Sequence, residues 1–309
     1  MKEYRKIYEE LIINKSKGII FSYDTLRDQY EYQPYSHSTN SDGIQALSEL
    51  MRKNLPFYCY GESEIIEEYS RGKLEDLEKC AKYAYIQRLP KRPEETDGLL
   101  SEVLLDLIIE IFEPLATKLA LRTIFRQNDN NEIKGYDLTY ISRSKDDSIS
   151  LWLGQAKMGD RGYCLSGIHT DLLSKYDAGY FTKQLFFLCD KPYATTKDTK
   201  HLLRIIDDLN RSTIDLSADM RETALIKLFE REHISIKVPC LLAYKNELLY
   251  SDPANLFLNL CTEIEKIRTF YSKKNYSSFV LKPHIIFMVF PLSDVDVIRS
   301  KKGFYYGLR

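Results

Sequence analysis

The stretch SLWLGQAKMGDRG, Ser150–Gly162, decides how this chain of 309 residues is read. It opens as an apolar strand and then presents two polar side chains, Gln155 and Lys157, one residue apart. Alternation along a strand puts residues i and i+2 on the same face. The amide and the ammonium therefore project side by side from a segment whose other residues call for burial, which asks for a chemical reason.

The flanking sequence supplies a context. Upstream, Tyr136–Ser142 alternates as a second strand with Asp137 near its start, and Lys118–Arg126 reads as a first strand, with the turn NDNNEIKG (128–135) between them. Before these, Gly98–Phe112 reads as a helix capped by Thr96 or Asp97 and closed by Pro114. It is apolar over most of its circumference, so it is expected to be buried. Its polar residues Glu102, Asp106, Glu110 and Glu113 fall on one stripe. Downstream, Ser166–Tyr180 reads as helical. The order is helix, three strands, helix. Further helices are expected over His201–Asn210, Arg221–Glu232 and Leu256–Tyr271, and apolar strands over Ile236–Tyr244 and His284–Pro291.

The N-terminal part has a different texture. Helical patterns run over residues 2–14, Ile44–Arg52, Ser63–Arg71 and Leu74–Gln87, with the polar loop SHSTNSDG at 36–43. The segment LPKRPEETDG (89–98), with two prolines and a glycine, marks a boundary. The expected organisation is a mainly helical N-terminal module over 1–88 and a domain over 89–309. The expected class is α/β, a mixed central sheet of four or five strands flanked by helices.

Composition narrows the function classes. The formal net charge is −1, so contact with nucleic acid must come from a local basic patch rather than a global field. Six cysteines lie at 59, 80, 164, 189, 240 and 261, without CxxC spacing or a histidine cluster. This pattern implies buried free thiols in a reducing cytosol, not zinc or a disulfide framework. The opening MKEYRKIYEELIINK has no apolar signal core, and no run qualifies as a membrane span, so a cytoplasmic location is expected. No Walker A motif, helix-turn-helix or zinc finger is legible, and no small-molecule cofactor is implied.

Four residues carry chemistry: Glu102 on the buried helix, Asp137 on the second strand, and Gln155 and Lys157 on the third. Each alone has a structural reading, as a solvated stripe, a strand edge or a solvated strand end. Together they suit a metal-dependent phosphodiesterase. A hard cation takes one or two carboxylates and leaves positions for water and phosphate. A lysine beside it orients or helps deprotonate the nucleophile, or stabilises charge developing on phosphate.

The order of elements with Glu, then Asp, then Gln-x-Lys resembles the PD-(D/E)XK nuclease core. The segments RLPKRPEETDGLLSEVLLDLIIE, KGYDLTYI and LWLGQAKM resemble the HamA family of the bacterial Hachiman anti-phage system over about residues 88–190, and the likeness continues more loosely through IKVPCLLAY and HIIFMVFP. The resemblance implies a magnesium- or manganese-dependent DNA nuclease acting with a HamB-like superfamily 2 helicase. It implies Asp137, Gln155 and Glu102 as metal ligands and Lys157 as the catalytic lysine. Gln155 stands where the family more often has glutamate; an amide oxygen can coordinate a hard cation but brings no charge. Possible DNA contacts are His169, Lys134 and Arg143, with Arg122, Arg126 and Lys145 on the same rim; Ser166 and Thr170 either hold phosphates or cap their helix. Two alternatives accompany this reading. One is a catalytically attenuated nuclease-fold subunit that binds and regulates the helicase. The other is a restriction-type nuclease outside Hachiman.

Overall fold

The computed structural model describes residues 3–89, 98–119, 135–144, 148–190, 197–276, 279 and 281–308. The N-terminal region contains α1 (Glu3–Tyr8), a π-helical turn (Glu9–Ile13), α2 (Asn14–Ser16), β1 (Ile20–Ser22), β2 (Leu26–Arg27), β3 (Glu31–His37), α3 (Gly43–Cys59), α4 (Glu62–Ser70) and α5 (Leu77–Arg88). The middle contains α6 (Leu99–Phe112), β4 (Thr117–Lys118), β5 (Leu138–Arg143), β6 (Ile149–Gly159), α7 (Arg161–Lys175), α8 (Ala178–Asp190), α9 (Lys197–Ser212) and α10 (Ala218–Arg231). The last part contains β7 (Ile234–Lys245), α11 (Glu247–Tyr250), α12 (Leu256–Tyr271), β8 (His284–Leu292) and α13 (Val295–Arg299).

The strands form one mixed sheet in the order β1-β3-β8-β7-β6-β5-β4, with β2 also on β3. Its centre is parallel: β6 pairs with β7, β7 with β8, and β8 with β3. Its flanks are antiparallel, β5 on β6 at one side and β1 on β3 at the other. The class is therefore the α/β expected from sequence. Alternation along β6 divides two cores. Trp152, Ala156 and Met158 join the core with α3 and α6, whereas Leu151 and Leu153 join the core with α7, α10 and α12.

The sheet is larger than the sequence suggests because residues 20–37 add β1, β2 and β3. Pro34 lies inside β3 and has no N–H to donate, so this segment does not read as a strand. The stretch expected as a mainly helical module thus supplies strands to the common sheet, and its helix α3 shares a core with α6. The expected boundary falls mostly on residues 90–97, outside the described residues.

Helix α6 is buried from Leu99 to Glu110, its polar stripe included. Glu102, Asp106 and Glu110 follow one another at one-turn spacing and are only 5 %, 4 % and 3 % exposed. Buried carboxylates must be paired and hydrogen-bonded. Lys118 on β4 lies 2.9 Å from Asp106 Oδ1 and 3.7 Å from Glu110 Oε1, and donates at 2.6 Å to the Phe57 carbonyl at the end of α3. The Tyr140 hydroxyl sits 2.6 Å from Asp106 Oδ1 and 3.0 Å from Glu110 Oε1. Asn54 donates to Asp106 Oδ2 at 3.0 Å and accepts from Tyr8 at 2.8 Å, while Tyr4 donates to Glu110 at 3.1 Å. One polar column ties α1, α3, β4 and β5 to α6. Burial, countered by Lys118 and reinforced by the neighbouring Asp106, pushes the Glu110 carboxyl up to about 7.

His37 closes the other flank. Its Nδ1–H donates to the Ser38 carbonyl at 2.7 Å, and its Nε2 accepts from the Ser293 N–H at 3.0 Å, so β3 is tied to the end of β8. The ring stacks on Tyr250 with centroids 4.1 Å apart. Burial pushes its pKa down to about 4. Among the described residues no helix is long and apolar enough to cross a membrane.

Two pH effects of opposite sign follow. His37 binds a proton less readily folded than unfolded, so its stabilisation is present above about 6.5 and is lost as pH falls toward about 4. In His37→Gln, denaturant midpoints measured from pH 8 to pH 4 should fall less steeply over that window than in the parent. Glu110 binds a proton more readily folded than unfolded, so its contribution declines as pH rises from 4.5 to about 7. Glu110→Gln should therefore gain stability relative to the parent at pH 8 compared with pH 5; an identical difference at both pH values would refute the assignment.

Candidate active site

In a parallel α/β sheet, the carboxyl ends of the strands are where side chains from several elements can converge. Here β6, β7 and the segment after β8 end beside one another, and the start of α6 and the approach to β5 meet them. A cavity of about 590 Å³ opens at this point. Glu102, Asp137 and Lys157 all line it, together with Lys245, Asp296 and Arg299.

Glu102 lies in the first turn of α6. Its Oε2 accepts from the Tyr58 hydroxyl at 2.6 Å, which fixes the carboxylate against α3. Ser101 beside it donates to the Gly98 carbonyl at 2.8 Å, sharing that acceptor with the Glu102 N–H. Helix α6 approaches β6 closely at Gly154. A Cβ there would meet Leu105 Cδ2 and Leu138 Cβ, each at 2.9 Å, so only glycine lets the helix lie this near.

Asp137 immediately precedes β5. Its N–H donates to the Gly154 carbonyl and its Oδ2 accepts from the Ala156 N–H, both at 2.9 Å. The backbone of β6 thereby holds the carboxylate between Gln155 and Lys157 in the strand direction. Lys157 reaches the cavity from the α7 face and forms an ion pair with Asp171 on α7. Burial works against its ammonium, but the hydrogen bond to Asp171 and the charges of Asp137 and Asp171 prevail and hold its pKa above the ordinary lysine value. The group is a permanent cation at neutral pH.

Gln155 shares the strand face of Lys157 but not its destination. It is 0 % exposed and is absent from the cavity wall. Its Nε2 donates to the Gly154 carbonyl at 2.8 Å, and its Oε1 accepts from Lys175 on α7. Lys175 also approaches Asp171 at 3.5 Å. A run of contacts, Gln155–Lys175–Asp171–Lys157, lies under the cavity. Asp171 and Lys175 escaped the sequence reading, although their i, i+4 acid–base spacing on a helix was a signal.

The outlying candidates disperse. His169 on α7 bonds Tyr276 at 2.9 Å and does not line the cavity, and burial followed by the nearby Lys274 lowers its pKa. Arg143 pairs in register with Ile149, at the far end of β5 from Asp137. Lys134, Arg122, Arg126 and Lys145 lie outside the described residues. Ser166 and Thr170 donate to carbonyls one turn back within α7, at 2.8 and 3.0 Å.

The donors on the cavity wall decide which metal would suit it. They are oxygens, chiefly of carboxylates; among the described residues no histidine or cysteine lines it. Among the described residues no group of three or more His, Cys, Asp or Glu side chains could hold a metal ion by itself. Two carboxylates, Glu102 and Asp137, with room for water and a phosphate, fit a hard octahedral cation rather than zinc.

The sequence profile of one family, HamA, matches residues 20–306. No curated protein matches the chain.

Proposed function

The chain belongs to the HamA family, the defence proteins of the Hachiman type, and from this premise we propose that it is a metal-dependent deoxyribonuclease controlled by a helicase partner. One observation carries the reading: Glu102, Asp137 and Lys157, from three separate elements, line the same cavity. Family membership also leaves the restriction-type alternative without support.

Glu102 and Asp137 would hold Mg²⁺ or Mn²⁺, which supplies Lewis-acid charge neutralisation at a phosphodiester. The chain's own residues do the rest. Lys157 carries a raised pKa, which suits it to stabilise negative charge on the phosphoryl oxygens and not to accept a proton from water. Asp171 holds that ammonium in place from behind. Tyr58 fixes the rotamer of Glu102, and the β6 backbone fixes Asp137. A fixed charge constellation avoids reorganisation when charge develops.

The net charge of −1 suits a protein that does not grip DNA strongly by itself, and a HamB-like ATP-driven helicase would supply loading on DNA. A second reading rests on Gln155. The position that would bring a further ligand carries no charge and is engaged by Lys175, which favours a subunit of reduced catalytic power whose main task is to bind and regulate the helicase.

Two measurements test these readings. With Mg²⁺ or Mn²⁺ and the helicase partner present, Asp137→Ala and Lys157→Ala should each reduce plasmid cleavage by at least about a hundredfold. Parental cleavage in both variants would sink the site assignment. Gln155→Glu should leave cleavage close to the parent, because Lys175 pairs with the new carboxylate; a gain of about a hundredfold would instead establish the attenuated reading.

A further inference from the structure

We propose that Arg299 is a substrate-binding residue that grips a backbone phosphate of the nucleic acid entering the Glu102–Asp137–Lys157 cavity. The proposal rests on the nuclease reading and names a contact to its substrate.

The cavity wall carries four carboxylates, Glu102, Asp137, Asp160 and Asp296, against three cations, Lys157, Lys245 and Arg299. A polyanion enters such a wall only where positive charge is available to it. Two of the cations are already engaged. Lys157 is paired with Asp171, and Lys245 lies 3.3 Å from Asp294 and 3.1 Å from Asp296. Arg299 differs. Among the described residues no carboxylate lies within ion-pair distance of it, and its one hydrogen bond runs from Nη2 to the Met158 carbonyl at 2.7 Å. That carbonyl belongs to the residue next to Lys157.

An arginine has five N–H donors in a rigid fork. The bond to Met158 anchors one end of the guanidinium and leaves its other donors for a ligand. A forked, permanently charged donor set matches the paired oxygens of a phosphodiester. The element bearing it is clamped. Arg52 donates to the Gly303 carbonyl at 2.8 Å, and the Phe304 N–H returns to the Ile298 carbonyl at 3.0 Å, so the turn after α13 is held against α3.

Gly159 completes the arrangement. A Cβ at this residue would lie 3.3 Å from the Tyr163 ring and 3.6 Å from Arg299 Nη2. The missing side chain leaves room for both the ring and the guanidinium at the cavity wall. Tyr163 is 57 % exposed and so presents a flat apolar face beside the phosphate position.

The test uses the full chain, a fluorescein-labelled DNA duplex and Ca²⁺ in place of Mg²⁺, with affinity read by anisotropy across a salt series. Arg299→Ala should weaken binding about ten- to a hundredfold and reduce the slope of log K against log salt by about one. Arg299→Lys should fall between, keeping the charge but losing the fork. Arg299→Gln keeps a polar side chain of intermediate length but no charge, so it should keep a melting temperature near the parent's without restoring affinity. Full affinity in Arg299→Gln, or unchanged affinity and slope in Arg299→Ala, would make Arg299 a structural tether and overturn the proposal. Absence of binding by the parent chain would overturn it as well. The nuclease reading fails separately, if Asp137→Ala cleaves DNA in Mg²⁺ as the parent does.

Discussion

The buried column of carboxylates on α6 is the constraint around which the rest is arranged. Asp106 and Glu110 are enclosed, so each requires a partner, and the partners come from α1, α3, β4 and β5. Removing one partner from a buried pair leaves an uncompensated charge and costs about 3–5 kcal/mol. The column therefore fixes how the N-terminal helices, the edge of the sheet and α6 sit together. Glu102 belongs to the same stripe, one turn before Asp106, and Tyr58 from α3 holds it. The helix that carries the candidate ligand is thus set by interactions that are not themselves catalytic.

The second determinant is β6. It is flanked by a parallel neighbour, β7, and an antiparallel one, β5, and both bring functional groups to its carboxyl end. Asp137 is positioned by its bonds to Gly154 and Ala156, and Gly154 lets α6 approach. The motif Gly-Gln-Ala-Lys thus combines a packing residue, a buried amide, a backbone donor for Asp137 and a cation. The first and third of these act through backbone geometry and do not declare themselves as chemistry in a sequence.

Much of the framework was legible. Helix α6 was expected over 98–112 and spans Leu99–Phe112, because its apolar residues cover most of its circumference. Strands β5 to β8 were marked by β-prone apolar runs. Strand β3 was not, because Pro34 and its polar neighbours mask a segment whose burial is supplied by β8 and by residues far along the chain. The stripe Glu102–Asp106–Glu110 was legible as a stripe, but its burial was not: periodicity gives the face, and only the packing of α3 and β4 against it decides whether that face meets water. At the site, Glu102, Asp137 and Lys157 line one cavity, whereas the contacts of Asp171 with Lys157, of Tyr58 with Glu102 and of Arg299 with Met158 join separate elements, and no local pattern records such pairings.

Sequence alone determined the order helix, three strands, helix from α6 to α7, the shared strand face of Gln155 and Lys157, and the family of the chain, since these depend on local periodicity and on residue identity. Tertiary structure decided what each polar group does. Lys157 extends to the cavity with Asp171 behind it, and Gln155, two residues earlier on the same face, lies under α7 with Lys175 on its oxygen. The division between them is set by how α7 crosses the end of β6, a relation between elements that alternation along one strand does not contain.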